Sequence, residues 1–282
     1  MGKDSYQLGL YEKSMPNDLS WEEKLNITKE CGFDYLEMSI DETDAKQARL
    51  DYTKAERKAI VEAMWSTGVR IQSICLSGHR KYPLGSHVEE TRERALTIME
   101  KAVDLAAELG VRIIQLAGYD VYYEQGDEQT REWFIQNLGI CAQQAARKGV
   151  LLGFETMETA FMDTVEKAMQ YVAEINSPYL GIYPDIGNLK NASLLYGSDV
   201  NEDIKTGSGH LVAAHLKETV PGAYREIPFG TGHTEFVRNI TALKQQGVRM
   251  YVGEFWDVGK AGWKEDIKEA SIFLREKLDQ VY

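Results

Sequence analysis

The sequence predicts an α/β protein of the (β/α)8 TIM barrel class, and three observations predict it. A short apolar run followed by an amphipathic helix recurs eight times, which is the rhythm of parallel βα units. The length of 282 residues suits such a barrel, which typically takes about 250. Neither GxGxxG nor GxxxxGK[ST] occurs, whereas the runner-up architecture, an open doubly wound sheet, usually carries a Gly-rich phosphate turn early on. No linker, internal repeat or low-complexity segment divides the chain, so residues 1–282 are read as a single domain.

The units follow in order. The first strand spans 7–11, and its helix opens at Ser20, where Ser20 and Glu23 make a capping box, and closes near Gly32. The second strand, 33–40, leads to a helix capped at Thr53 with Glu56 three residues on. The third, 69–77, is rich in β-branched residues and precedes a long helix over 88–109 that stops at Gly110. The fourth strand covers 111–119, and its helix covers 128–148, stopped by Gly149. The fifth strand spans 150–157, with Asp163 and Glu166 as the capping box of the next helix. The sixth strand is 180–186, and the unit after it is the least regular, since 191–209 mixes Gly, Ser and Asn around a short helix near Glu202. The seventh strand, 211–217, passes through a Pro- and Gly-rich loop into a helix over 235–246. The eighth, 248–256, is followed by a final helix over 264–278.

Composition limits the partners. Hydrophobic residues at 43% and charged residues at 27% give the balance of an ordinary globular protein. A net charge of -12 opposes general attraction to nucleic acid or to anionic lipid, which are bound mainly through Lys and Arg. A phosphorylated small molecule needs only a local basic cluster, so it stays open. No apolar run of eighteen residues occurs, and the start MGKDSY has neither a leader-like apolar stretch after Lys3 nor the acylation pattern that would follow Gly2. The three cysteines, Cys31, Cys75 and Cys141, are odd in number and widely spaced, as reduced thiols would be. A cytoplasmic location is therefore expected.

In a barrel the active site lies at the C-terminal mouths of the strands. Glu155 ends LLGFE, Asp185 ends GIYPD, His215 ends LVAAH and Glu254 ends YVGE, on the successive fifth to eighth strands. An isolated strand-end carboxylate often only caps a helix or pairs with a lysine. Three carboxylates and an imidazole converging on one mouth call instead for a compensating cation, because each is costly to desolvate alone. That donor set suits one divalent ion of the Mn2+, Mg2+, Co2+ or Zn2+ kind, and the ligands leave its identity open.

Longer segments carry a resemblance. LGLYEKSMP at the start, FDYLEMSIDETD on the second strand, CLSGHRKYPLGS after the third and QLAGYDVYYE after the fourth, with YPDIGNL, HLKET, VPGAYREIPFGTG and GEFW, are similar to segments of the L-ribulose-5-phosphate 3-epimerases, also called L-xylulose-5-phosphate 3-epimerases, of the xylose-isomerase-like barrels. The resemblance covers nearly the whole chain. It implies that Glu155, Asp185, His215 and Glu254 are the metal ligands, the four that strand position had already selected. It further implies C3 inversion of a pentulose 5-phosphate, in L-ascorbate or L-xylulose utilisation, with the product passing to a 4-epimerase.

Epimerisation at C3 of a 2-ketose removes a proton beside the C2 carbonyl and returns one to the opposite face through an enediolate. Glu155 and Glu254 are therefore expected as the acid/base pair as well as metal ligands, with Asp185 and His215 as metal anchors. For the sugar phosphate, His79 and Arg80 after the third strand, Lys217 and Arg225 on and after the seventh, and the turn at Gly230 are candidate contacts; ordinary solvation or surface pairing is the competing reading for each. Tyr11, Glu12, Tyr119 and Trp256 are candidate pocket walls, and Glu158 a supporting carboxylate. The aromatic group Tyr119, Tyr122, Tyr123 and Trp133 would suit a homodimer surface or a lid, with plain packing of its loop weighed above both.

Among rivals, 3-epimerases of free ketoses tend to carry a His three residues after the metal Asp and an Arg six after the metal His. Here those positions hold Asn188 and Pro221, which leans towards a phosphorylated substrate, with a hexulose 6-phosphate still open. Barrel endonucleases would want more than five His and a basic face. An aldose-ketose isomerase usually wants a second metal, and a silent sugar-phosphate-binding barrel would gain little from two poised bases.

Overall fold

The computed structural model describes residues 5–282, so the reading of Gly2 and Lys3 lies outside the described residues. Eight strands form one sheet: β1 (Gln7–Tyr11), β2 (Tyr35–Ser39), β3 (Arg70–Leu76), β4 (Ile113–Ala117), β5 (Leu151–Glu155), β6 (Leu180–Tyr183), β7 (Ala214–Leu216) and β8 (Met250–Gly253). They pair in the order β6-β5-β4-β3-β2-β1-β8-β7, every ladder parallel. Isolated parallel bridges from Ile182 to Leu211 and from Asp185 to His215 join the two ends of that order. The result is the (β/α)8 barrel that the sequence predicts.

Its helices are α1 (Trp21–Glu30), α2 (Asp44–Gln47), α3 (Lys54–Thr67), α4 (Glu89–Leu109), α5 (Glu128–Lys148), α6 (Val165–Ile175), α7 (Ile186–Tyr196), α8 (Val200–Thr206), α9 (Phe236–Gln245) and α10 (Trp263–Asp279). Alternating strand residues face two ways. Leu8, Leu10, Leu36, Met38 and Leu116 pack outward against the helices, while Tyr11, Tyr35, Cys75, Tyr183 and Val252 fill the interior. Gly9 makes room for this filling, since a Cβ there would collide with the Tyr35 ring.

The capping boxes at Ser20 and Thr53 form as expected, each hydroxyl accepting from the backbone N–H three residues on. The one expected at Asp163 does not. Thr164 caps α6, and Asp163 instead pairs with Lys167 at 2.6 Å and accepts the Tyr196 hydroxyl at 2.7 Å. The sixth strand also ends earlier than expected, at Tyr183, and Asp185 caps α7 by accepting from the Asn188 N–H. Residues 191–209 are thus mostly helical, with Asp199 capping α8. The sequence underrates this region because Gly, Asn and Ser are weak helix formers, and here a cap and burial override propensity.

Glu12 is a further correction. It does not wall the pocket but is buried beneath the mouth of β1, where its Oε1 accepts from Lys24 at 2.7 Å, Lys46 at 2.8 Å and Arg49 at 2.7 Å. Its Oε2 accepts from Arg49 at 2.6 Å and from the Ser39 N–H at 2.8 Å. Burial would raise this carboxyl, but the Arg49 guanidinium and the Lys46 and Lys24 ammoniums hold it well below the usual carboxylate range. The three cysteines are free and buried, and no helix among the described residues is long and apolar enough to cross a membrane.

Candidate active site

The ends of β5 and β8, the cap of α7 and the middle of β7 bring four side chains together. One donor atom from each of Glu155, Asp185, His215 and Glu254 lies within 4.8 Å of all the others, and all four residues are buried. The sheet register explains the meeting: His215 bridges Asp185 on one side and pairs with Val252, two residues before Glu254, on the other. His215 Nδ1 lies 3.0 Å from Glu155 Oε1 and 3.6 Å from Glu254 Oε2. Gln115 on β4 donates to the other Glu155 oxygen.

Lys217 closes the group from the pocket side. Its ammonium sits 2.7 Å from Asp185 Oδ2 and 3.0 Å from Glu254 Oε2. Both readings of a strand-end acid therefore hold for Asp185, which caps a helix through Oδ1 and pairs with a lysine through Oδ2. Asp185 Oδ2 and Glu254 Oε2 are buried and both depend on this one ammonium as their near partner. Buried oxygens so placed have lone pairs to offer. One imidazole and three carboxylates make a donor set that fits a divalent cation, so the residues present suit such an ion.

The electrostatics are those of crowded acids. Burial, then the charge of Glu254, raises the Glu155 carboxyl. Burial pushes Asp185 up to about 8 even with Lys217 beside it. Glu254 goes the other way: burial would raise it, yet the charges of Lys217 and His215 bring it below the usual carboxylate range. Burial would lower His215, but Glu37, Glu254 and Glu155 raise it well above an ordinary imidazole.

In front of this group a pocket opens, walled by Tyr11, Cys75, Met157 and Trp256 and rimmed by Lys13, Arg80, Glu158 and Arg225. Arg225 lies over the Trp256 ring at 5.5 Å. Arg80 lies over Tyr122 at 4.7 Å, and Glu158 accepts the Tyr119 hydroxyl at 2.5 Å. Of the expected substrate contacts, Arg80, Lys217, Arg225 and Trp256 line this pocket, whereas His79 and Gly230 do not. The His79 ring is buried against α4, its Nε2 3.1 Å from the Ala95 carbonyl oxygen. Gly230 turns beside Phe273, and its N–H donates to Glu218. The aromatic group is split: Tyr119 meets Tyr122 at a tilt and Tyr122 meets Tyr123 edge-on, while Trp133 packs with His87 and Arg92. A roomier groove between α1 and α3, edged by Trp21 and Tyr52 and lined also by Glu22, Glu56 and Glu62, contains none of the four converging residues.

Several residues escaped the sequence reading, among them Met157 of the pocket wall and Gln115 beside Glu155. Lys13, in the turn after β1, joins the pocket rim, and Glu37, on β2, is buried against His215. Glu37 sits mid-strand, not at a strand end, so the rule that found the others passes over it.

A barrel with this acid-rich mouth is matched by the xylose isomerase-like TIM barrel family over residues 25–277. The solved structure of a D-tagatose 3-epimerase-like protein superposes with a TM-score of 0.80 at 17% identity, covering 98% of each chain. That of an L-ribulose 3-epimerase gives 0.75 at 18%, covering 98% of this chain and 95% of the other. Sequence likeness reaches further: the L-ribulose-5-phosphate 3-epimerase UlaE of Salmonella paratyphi A is 45% identical over 272 residues, 96% of this chain and 94% of that protein. The chain belongs to the L-ribulose-5-phosphate 3-epimerase family. It is an isomerase of the carbohydrate epimerase type.

Proposed function

We propose that this chain is a divalent-metal-dependent 3-epimerase that interconverts L-xylulose 5-phosphate and L-ribulose 5-phosphate. The observation that carries the reading is the convergence of Glu155 and Glu254, with Asp185 and His215, on one buried centre at the mouth of the barrel. The name of the Salmonella relative supports the substrate. Pro221 and Asn188, in place of the Arg and His of the free-ketose epimerases, favour a phosphorylated sugar.

Glu155, Asp185, His215 and Glu254 would hold the metal. A bound Mn2+, Mg2+, Co2+ or Zn2+ ion supplies Lewis-acid stabilisation of negative charge on the sugar oxygens next to C3. The chain itself does the proton transfers. One of Glu155 and Glu254 takes the C3 proton, an enediolate forms, and the other returns a proton to the opposite face; their roles exchange with the direction of reaction. Tyr11 and Trp256 wall the pocket and help exclude water. Lys217, Lys13, Arg80 and Arg225 supply positive charge there, which suits a phosphate in a protein of net charge -12. His79 and Gly230 would act on the substrate only through the loops that they shape. The reaction would serve L-ascorbate or L-xylulose utilisation in the cytoplasm.

NMR of L-xylulose 5-phosphate in D2O with metal-loaded protein tests this reading. Deuterium appearing at C3 together with L-ribulose 5-phosphate, lost in Glu155→Gln, is the expected result. Substrate unchanged at C3 while a hexulose 6-phosphate or a free ketose exchanges would reassign the substrate, and no exchange in any of them would end the epimerase reading.

A further inference from the structure

Behind the four converging residues lies a fourth carboxylate that the reaction does not use. Glu37 is fully buried on β2, at a point where the β2–β3 ladder shifts register between Leu36 and Glu37. Such an irregularity re-aims a side chain, and this one turns into the barrel. Glu37 Oε1 lies 2.7 Å from His215 Nε2. Its Oε2 accepts from the Ser73 hydroxyl at 2.7 Å and the Tyr183 hydroxyl at 3.0 Å. Both oxygens are therefore occupied, and neither is left to bind an ion or a sugar. The Tyr183 ring meets the His215 ring edge-on at 4.9 Å, and Tyr11 lies at 6.1 Å, so the imidazole is held between them.

This arrangement sets which nitrogen of His215 faces the acids. Nε2 points at Glu37, and Nδ1 points at Glu155 and Glu254. A carboxylate only accepts, and Glu37 lies closer to Nε2, at 2.7 Å, than Glu155 does to Nδ1, at 3.0 Å, so a ring that holds one proton keeps it on Nε2 while a cation at the shared centre takes the Nδ1 side. When the imidazole is neutral, the Nδ1 lone pair is then the one left free, and it faces the centre shared with Asp185. Without Glu37 the ring could carry its proton on Nδ1 instead, which would block that lone pair and leave Nε2 buried with no donor role.

We propose that Glu37 is a positioning residue that fixes His215 as a metal ligand through Nδ1, by accepting the Nε2 proton while Ser73 and Tyr183 hold Glu37 in place. The inference rests on the reading that the four-residue group holds a divalent ion. Glu37 touches neither substrate nor ion; it acts through His215, as carboxylates behind ligating histidines generally do.

Two measurements test it. In the Zn2+-loaded wild-type protein, long-range 1H–15N correlation of the His215 ring should show a proton on Nε2 and metal on Nδ1. The reverse assignment overturns the proposal, and this test needs no variant. In chelated protein titrated with Mn2+, Glu37→Gln should raise the dissociation constant by roughly 10–100-fold, and Tyr183→Phe, which removes one donor to Glu37 but keeps the ring, by a smaller factor. A folded Glu37→Gln protein that binds Mn2+ as tightly as wild type overturns the role of Glu37 alone. A wild-type protein that binds no divalent ion overturns the metal reading and this inference together.

Discussion

Two buried ionic clusters lie within the same barrel, and they are built in opposite proportions. At Glu12 one carboxylate is surrounded by three cations, Lys24, Lys46 and Arg49, and its oxygens accept five hydrogen bonds. At the mouth of β5 to β8, four carboxylates, Glu37, Glu155, Asp185 and Glu254, share His215 and Lys217, and the Lys217 ammonium alone serves both Asp185 Oδ2 and Glu254 Oε2. The first cluster is complete and ties β1, α1, β2 and α2 together. The second has an excess of acid that the chain does not neutralise itself. Burial is the same in both, so burial alone does not mark a functional group; the imbalance of charge does.

Substitutions in the two clusters should therefore fail in different ways. The largest effect is expected at the mouth: Glu155→Gln should lower kcat by roughly 10²–10⁴-fold, the usual worth of a positioned acid or base, while the metal-free protein unfolds no earlier than wild type. Next comes Glu12→Gln, which strands three buried cations. It should cost about 3–5 kcal/mol of stability in urea denaturation while the folded fraction keeps its kcat. An equally stable Glu12→Gln protein would erase the distinction between the clusters.

Acid sharpens the same contrast. The folded-state pKa of Glu12 lies below its unfolded value of about 4.5, so its stabilisation is fully present above pH 4.5 and is lost as pH falls towards the folded value. Denaturation midpoints of wild type should fall below pH 4.5, and the drop should be smaller in Glu12→Gln. Adding a divalent ion at one hundred times its dissociation constant should stabilise the chelated protein by about 2.7 kcal/mol, and Asp185→Asn should reduce that gain without affecting the Glu12 cluster. The smallest effect is expected at the exposed cap of α1, one turn before Lys24: Ser20→Ala should cost about 1 kcal/mol by removing that cap, with activity unchanged.

How much of this was legible in the chain follows from the same physics. The barrel was legible because eight apolar runs alternate with amphipathic helices, and the four converging residues because each terminates such a run. Helix α7 was not, since Gly187, Asn188 and Asn191 give it little intrinsic preference and its start depends on Asp185 as a cap. That His79 and Gly230 fall outside the pocket lining was not legible, because sequence places a loop near the mouth but does not say which way a ring or turn faces. Glu37 and Glu12 look alike in sequence, one acid in or after a strand. Only their partners separate them, three cations from distant helices for one and an imidazole 178 residues away for the other.

The central claim is that the acid-rich cluster is a cation site coupled to proton exchange at C3. It is tested most directly by adding Mn2+ stepwise to chelated protein and following deuterium entry at C3 of L-xylulose 5-phosphate. The account predicts almost no exchange in the chelated protein and a rise that saturates near one equivalent of ion. Exchange that persists undiminished after chelation, or that never appears at any Mn2+ level, would contradict it.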